Sequence, residues 1–359
     1  MNPIVAITQP YIPAYRVPLF DALAVELASE GFELKVYSAR PTGTQARRAD
    51  SSTGSWHEEI PSREFTVGRW AVQHRPVPNA LLGAAALVSE LEALNLVAWR
   101  DVFRRRPTVL WGHGKGFVNE TGRLSDFVEA QLASRADHVM TYSPSGREFL
   151  LQSGRVDPAS VTAIGNSTDT AALRSAIEAE LASAEPSGDD AKHALYVGGL
   201  DKSKRIDFLI EAYEAGLRID PGLRLTVVGR GEDEALVRAK STEYSGLRHV
   251  PEARGVDLAK LGVEADAMWI PGRVGLVAVD ALAMGLPVHT TRYPYHAPEI
   301  EFLAENEVAF LGPDPVRFAR ESLTLISASP GRVLRADIPT IETVSRNMAS
   351  VIFRVLEKS

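Results

Sequence analysis

Short apolar, β-branched runs alternate with stretches in which apolar residues return every three or four positions, along nearly all of the 359 residues. In the first half the runs at 4–8, 33–37, 85–89, 108–111, 138–142 and 161–164 read as strands. The helical period fills 17–29, 95–105, 124–133 and 145–152 between them. In the second half strands are expected at 194–198, 224–228, 248–250, 267–270, 287–290 and 308–311, with helices near 206–218, 232–241, 256–261, 275–284 and 298–304. Helices between strands provide the crossovers that parallel pairing needs, so the alternation predicts an α/β protein with two doubly wound parallel sheets. Glu180-Leu-Ala-Ser-Ala-Glu-Pro-Ser-Gly-Asp-Asp-Ala191 ends polar and rich in turn residues, as an exposed linker would. The expected division is 1–174, a linker at 175–192, a second domain at 193–342 and a terminal segment at 343–359. That last segment is amphipathic through Val344, Met348, Val351, Ile352 and Val355.

Composition narrows the class. No run approaches the ~18 apolar residues of a membrane span, and the N-terminal Met1-Asn-Pro-Ile-Val-Ala-Ile lacks a basic region and cleavage site, so a cytoplasmic protein is expected. Zero cysteines exclude a disulfide framework, a thiolate metal site and a cysteine nucleophile. A net charge of −7 argues against nucleic acid as a partner. The charge is uneven: residues 1–170 hold 17 Lys/Arg against 18 Asp/Glu, the remainder 22 against 28. In the less acidic half, Trp99-Arg-Asp-Val-Phe-Arg-Arg-Arg106 mixes aromatic and basic residues. It reads either as a weak peripheral contact with the inner face of a membrane or as a solvated helix end.

Four segments carry candidate chemistry. In Asp266-Ala-Met-Trp-Ile-Pro-Gly-Arg-Val-Gly-Leu-Val-Ala-Val-Asp-Ala-Leu-Ala-Met-Gly-Leu-Pro-Val288 a buried strand, a Pro-Gly loop and a short helix follow one another. Backbone N–H groups at Gly275 and Leu276 would then face whatever sits above the helix start, a natural seat for a diphosphate. Asp280, one turn on, suits a ribose diol; the alternative is an ordinary βαβ unit with a solvated Asp280. In Tyr196-Val-Gly-Gly-Leu-Asp-Lys-Ser-Lys-Arg205 a Gly-Gly turn is followed by Lys202 and Lys204, which are phosphate ligands or a solvated surface. His113 lies between glycines in Trp111-Gly-His-Gly-Lys-Gly116, where open α/β sheets place ligands, with Lys115 beside it. Tyr15 and Arg16 follow the first strand; they meet an acceptor or serve the helix start at Pro18. His289 and His296 have no partner at metal-ligand spacing, so no metal site is read, and no GxGxxG motif is completed.

The 266–288 window resembles the donor-site signature of the family 4 glycosyltransferases: Pro-Ser, a few residues, Glu-Gly-Phe-Gly, then Glu-Ala-Met-Ala-x-Gly-x-Pro-Val. Gly275-Leu276-Val277, Ala281-Leu282-Ala283, Gly285 and Pro287-Val288 fall in register, as in a bacterial variant with Pro-Gly-x-Val-Gly-Leu and His-x-Pro-Glu, here His296-Ala297-Pro298-Glu299. The resemblance implies a GT-B fold: two Rossmann-like domains facing a central cleft, with the terminal helix returning to the first. It implies transfer of a sugar, hexosyltransferase-like and with retention, from a nucleotide-diphosphate sugar to a hydroxyl acceptor (a glycan, a lipid-linked or a small molecule). No cofactor and no metal are implied, and polysaccharide or glycoconjugate biosynthesis is the expected context. Lys204 falls on the family's diphosphate lysine, while Gly199 replaces its arginine and leaves Lys202 to compensate. Gly272 replaces the glutamate that touches the sugar, and Asp280 the one that holds the ribose. His113 falls on the histidine that reaches the sugar, and Glu299 is the nearest carboxylate to take over from Gly272. Catalytic roles are therefore expected for His113 and Glu299, donor binding for Lys202, Lys204, Gly199, Gly275, Leu276 and Asp280, and acceptor binding for Tyr15, Arg16 and Lys115. Asn166 and Asp169 match an Asn-Gly-Val-Asp element and read as turn and capping residues. Two rivals remain: a non-catalytic nucleotide-sugar-binding subunit, and a phosphorylase or epimerase on the same architecture.

Overall fold

The computed structural model describes residues 2–42, 46, 50–61, 63–67, 70–74, 83–103, 106–114, 123–183, 191–329 and 331–358. They fall into two compact units, Met1–Thr168 with Thr340–Ser359, and Asp169–Pro339.

The first unit contains β1 (Ile4–Gln9), α1 (Val17–Ser29), β2 (Glu33–Ser38), β3 (His57–Glu59), β4 (Arg63–Val67), β5 (Trp70–His74), β6 (Ala86–Glu90), α2 (Leu96–Phe103), β7 (Thr108–Gly112), α3 (Arg123–Ala133), β8 (His138–Thr141), α4 (Pro144–Gln152) and β9 (Val161–Ala163). Its seven-stranded sheet runs β3-β2-β1-β6-β7-β8-β9, and every pairing is parallel. β4 and β5 form a separate antiparallel pair. Strands β6, β7 and β8 are buried along their whole length, which parallel sheets covered on both faces require. α1 buries Leu19, Leu23 and Leu27 at one-turn spacing together with Phe20.

The second unit contains α5 (Thr170–Ser183), β10 (His193–Val197), α6 (Ile206–Leu217), β11 (Arg224–Val228), α7 (Glu234–Glu243), β12 (Leu247–Val250), α8 (Gly255–Glu264), β13 (Ala267–Ile270), α9 (Val277–Met284), β14 (Val288–Thr291), β15 (Val308–Leu311) and α10 (Pro315–Ala328). Its six strands run β12-β11-β10-β13-β14-β15, again all parallel. Counted within the unit this is the order 3-2-1-4-5-6, with the direction of winding reversing between β10 and β13. The core joins α6 to α10 through Phe208, Phe318 and Trp269, whose rings meet edge to face at 5.5 and 5.4 Å. Inside it Ser322 Oγ accepts from the Trp269 indole at 2.6 Å and lies 2.7 Å from His289 Nδ1. His289 thus belongs to the core.

Two expectations about organisation change. The first half of the segment read as a linker, residues 175–183, is helical. Asp169 accepts from the Ala172 N–H at 3.1 Å at the start of α5, and Leu173 and Ile177, one turn apart, are buried in the second unit's core. Residues 184–190, with the Pro and Gly, lie outside the described set. The helix Pro315–Ala328 also goes beyond the periodic reading; Asp314 caps it by accepting from the Arg317 N–H at 2.9 Å, and Pro315 occupies its first turn. The final helix α11 (Ile341–Leu356) belongs to the first unit, where Val344, Met348, Val351, Ile352 and Val355 are all buried in the core that includes Phe20, Leu23 and Leu27. At roughly 2 kcal/mol of gross burial each, these five side chains hold it in place. No helix among the described residues is long and apolar enough to cross a membrane.

Candidate functional site

In an open α/β sheet the loops at the carboxyl ends of the strands part where the winding reverses, and the crevice between them is the usual place for a ligand. In the second unit those loops follow β10 and β13, and they carry the Lys204 segment and the start of α9. They are fastened to each other at close range. The Arg273 N–H donates to the Ser203 carbonyl at 2.8 Å, and the Lys204 ammonium donates back to the Arg273 carbonyl at 2.7 Å. Gly272 makes this approach possible: a Cβ there would run into the Ser203 carbonyl oxygen and lie 2.5 Å from the Lys204 carbonyl carbon. Position 272 is therefore glycine for a steric reason. A glutamate would have to push the two loops apart.

The β10 loop is itself braced. Tyr196, fully buried, donates from its hydroxyl to the Gly199 carbonyl at 2.7 Å, and burial pushes that phenol well above its ordinary pKa. Asp201 accepts from the Ser203 N–H at 2.9 Å and from its hydroxyl at 2.5 Å. Lys202 stands exposed on this turn and Lys204 is half-buried. Arg205, next in sequence, has φ 55° and ψ 54°, the left-handed region.

The start of α9 is held from the other side by the His296 segment. The Val274 N–H donates to His296 Nδ1 at 3.1 Å, His296 Nε2 faces the Thr291 carbonyl at 2.9 Å, and the Ala297 N–H donates to the Val274 carbonyl at 2.8 Å. An imidazole that accepts at Nδ1 and donates at Nε2 is neutral. Burial lowers its pKa, and the Lys204 and Arg273 charges act in the same direction. The helix begins at Val277, two residues later than the pattern suggests, because Leu276 is its N-cap. Among the described residues the Gly275 and Leu276 N–H groups have no hydrogen-bond partner. Asp280 lies in the first turn, half-buried. Glu299 is buried, 3% exposed, in the short 3-10 helix Pro298–Phe302 that follows Ala297. Ala297 sits against the α9 start: a Cβ on Gly275 would lie 3.8 Å from the Ala297 Cβ. Lys204, Gly272, Arg273, Gly275 and the His296 segment thus share one loop cluster, Asp280 stands on the helix it opens, and Lys202 lies at its exposed margin.

The first unit reverses between β1 and β6. Arg16, after β1, donates to Gln9 Oε1 at 2.6 Å and to the Tyr142 hydroxyl at 2.7 Å, and its guanidinium lies 4.4 Å from the Trp111 ring centroid. Tyr142 in turn meets the His113 ring at 4.8 Å. Gly146 holds the His113 loop against the start of α4, since a Cβ there would collide with the His113 carbonyl oxygen. Arg16 and His113, 97 positions apart, thus both touch Tyr142, a residue that sequence reading passed over. Tyr15 is exposed at 37%, and Lys115 lies outside the described residues. In the aromatic-basic segment Trp99 stacks on Phe103 at 5.7 Å, Arg100 pairs with buried Asp101 at 2.8 Å, and Arg104 and Arg105 lie outside the described set. Among the described residues no group of three His, Asp or Glu could hold a metal ion.

Comparison with known proteins gives a family match on the second unit and likenesses of fold over the whole chain. The sequence pattern of the family "Glycosyl transferases group 1" matches residues 191–328, within the second unit. A D-inositol 3-phosphate glycosyltransferase of Actinosynnema mirum is 30% identical over 181 residues, 46% of this chain and 43% of that protein. One of Saccharomonospora viridis is 22% identical over 310 residues, 75% of this chain and 71% of that protein. The chain thus spans less than half the length of the first relative. Among solved structures, Anabaena HepE in complex with UDP superposes with TM-score 0.60 at 16% identity, covering 100% of this chain and 98% of that one. The UDP-GlcNAc 2-epimerase of Methanocaldococcus jannaschii gives 0.61 at 11%, with both chains fully covered. The sucrose-phosphate synthase of Thermosynechococcus elongatus gives 0.61 at 16%, covering 99% and 95%. These likenesses cover the whole chain and establish the GT-B type of fold, two Rossmann-like parallel-sheet domains, while the group 1 glycosyl transferase pattern lies on the unit that holds Lys204, Gly272 and the helix Val277–Met284.

Proposed function

We propose that this protein transfers a sugar from a nucleoside-diphosphate sugar to a hydroxyl group of an acceptor, with retention at the anomeric carbon and without a metal ion. The observation that carries this reading is the fastened pair of loops where the C-terminal sheet reverses, with the Lys204 ammonium bound to the carbonyl that precedes the α9 start. As the bond from the anomeric carbon to the diphosphate breaks, negative charge gathers on the leaving phosphate. Lys204 and the Gly275 and Leu276 N–H groups stabilise that charge in place of a metal. Asp280 holds the ribose diol. Glu299 and His113 contact the sugar, and Tyr15, Arg16 and Lys115 receive the acceptor. The match over residues 191–328 and the names of the relatives support the transferase reading. Those relatives act, by name, on inositol 3-phosphate, so a phosphate-bearing polyol is the first acceptor to try.

Lys204→Ala should weaken binding of the best nucleoside diphosphate by roughly 1.5–3 kcal/mol, the worth of a hydrogen bond from a charged group. Calorimetry with UDP, GDP, ADP and dTDP reads this, and unchanged affinity would remove Lys204 from the site. A second reading, a nucleotide-sugar-binding subunit without transfer, draws on Gly272, which brings no side chain to the sugar. Release of free nucleoside diphosphate in the presence of acceptor decides for transfer, and binding without release decides for the subunit.

A further inference from the structure

Arg205 is the only non-glycine residue among the described ones with a positive φ, at 55°. Left-handed backbone is free for glycine and unfavourable for arginine, so an arginine is an uncommon occupant of this position. Its placement is defined. The guanidinium carbon lies 4.2 Å from the ring centroid of buried Phe208, and Nη1 donates to Thr291 Oγ1 at 3.4 Å. Among the described residues it has no carboxylate partner and no further hydrogen bond. Most of a guanidinium's five donors thus remain unused, on a group whose position an aromatic face already restricts. The residue directly follows Lys204, and Thr291 closes β14, so the guanidinium lies at the same carboxyl edge as the loops after β10 and β13. The turn glycine at 199 contributes no cation there, and Lys202 is exposed.

We propose that Arg205 is a second phosphate-binding residue of this site, holding with its planar fork the oxygens of a nucleoside diphosphate that the single ammonium of Lys204 leaves unpaired. The inference rests on the donor site proposed above. A guanidinium fits two phosphate oxygens at once, and one already restrained by Phe208 and Thr291 loses little freedom on binding.

The test compares Arg205→Gly and Arg205→Lys with wild type by calorimetry against UDP, GDP, ADP and dTDP, and against the nucleoside and monophosphate of the best binder. Glycine suits the backbone, so Arg205→Gly should melt within about 2 °C of wild type. It should lose roughly 10- to 100-fold in diphosphate affinity and less than threefold in nucleoside affinity. Arg205→Lys should fall between. Unchanged diphosphate affinity overturns the proposal, as does an equal loss for nucleoside and diphosphate. A melting temperature lowered by many degrees makes Arg205 a strut between α6 and Thr291 and also overturns it. If wild type binds none of the four diphosphates, the donor site itself is wrong and this inference falls with it; wild-type binding with an indifferent Arg205→Gly removes Arg205 alone.

Discussion

The two units carry the same kind of sheet and assemble the residues around its reversal point in opposite ways. In the second unit the loops after β10 and β13 are joined through backbone: Gly272 against the Ser203 and Lys204 main chain, the Arg273 N–H on the Ser203 carbonyl, Val274 paired with Ala297. In the first unit long side chains form the assembly, with Arg16 reaching Gln9, Tyr142 and Trp111, and Tyr142 reaching His113. Backbone joints leave no room for added atoms, whereas a side-chain cage can lose one member and repack. The loop joint at Gly272 should therefore respond to a single methyl group and the Arg16 cage should not; the first unit shares this sensitivity only where Gly114 and Gly146 meet main chain at the His113 loop.

The largest expected effect tests the backbone joint itself, with an open glycine as the control. Gly272→Ala places a methyl on the Ser203–Lys204 backbone, and separating the loops forfeits the Arg273 N–H bond and the Lys204 ammonium bond. Overpacking and lost hydrogen bonds together amount to about 4 kcal/mol. That lowers the melting temperature of the second unit by roughly 8–16 °C. In the first unit Gly83→Ala, whose Cβ meets nothing within 4 Å, should leave melting unchanged. Differential scanning calorimetry of both variants decides. Equal and small shifts would mean that the loop joint is soft and that Gly272 has no steric reason.

The same contrast explains what the chain's letters disclosed. Backbone features announce themselves locally: the Pro-Gly loop and the apolar period of 277–284 placed α9 within two residues, and the five apolar positions of the final helix are all buried. The strand–helix alternation was enough for both parallel sheets. Contacts distant in sequence stayed hidden. Arg16 and Tyr142 are 126 positions apart, and the collision that keeps Gly272 a glycine comes from residues about seventy positions away, so the letter alone reads as a lost side chain. β3 is three polar residues long and offers no hydrophobic pattern. The supposed linker misled because its polar end masks a helix whose buried residues, Leu173 and Ile177, come earlier. Asp314-Pro315 is a helix-start signal, legible from capping chemistry and absent from a count of apolar positions.

Acidification should sharpen the difference next. Burial lowers the pKa of His289 to about 4 in the second unit, and His193 and His296 are lowered too. The unfolded chain takes up the His289 proton near the ordinary histidine value of ~6.5 and the folded unit only near 4, while burial shifts His193 and His296 in the same direction. Stability is therefore full above that upper value and is lost as pH falls through the window, by on the order of 3 kcal/mol for His289. In the first unit His138 is lowered to about 4 and His57 is lowered too, both chiefly by burial, but burial raises Glu129 to about 7. The folded unit then holds an extra proton between the carboxylate's ordinary value and 7, so acidification through that range stabilises it and offsets His138. Hydrogen exchange followed by mass spectrometry, peptide by peptide at pH 7.5, 5.5 and 4.5, should show protection falling steeply in the second unit and little in the first. Parallel losses in both would break the comparison.

The smallest effect concerns the cage itself. If Arg16 and Tyr142 stabilise each other through the 2.7 Å bond, Tyr142→Phe and Arg16→Lys should not add. Tyr142→Phe removes the acceptor and keeps the ring on Trp111 and His113; Arg16→Lys keeps the charge and loses the fork that spans Gln9 and Tyr142. A double-mutant cycle in urea should give a coupling of about 1 kcal/mol, in the range of a hydrogen bond from a charged donor once solvation is counted. Each single variant should leave nucleoside-diphosphate affinity at the wild-type value, because the cage belongs to the other unit. Strict additivity would mean that Arg16 is held by Gln9 and the Trp111 face alone. Its contact with Tyr142 would then follow from their proximity, and the first unit's site would rest on packing where the second unit's rests on its backbone.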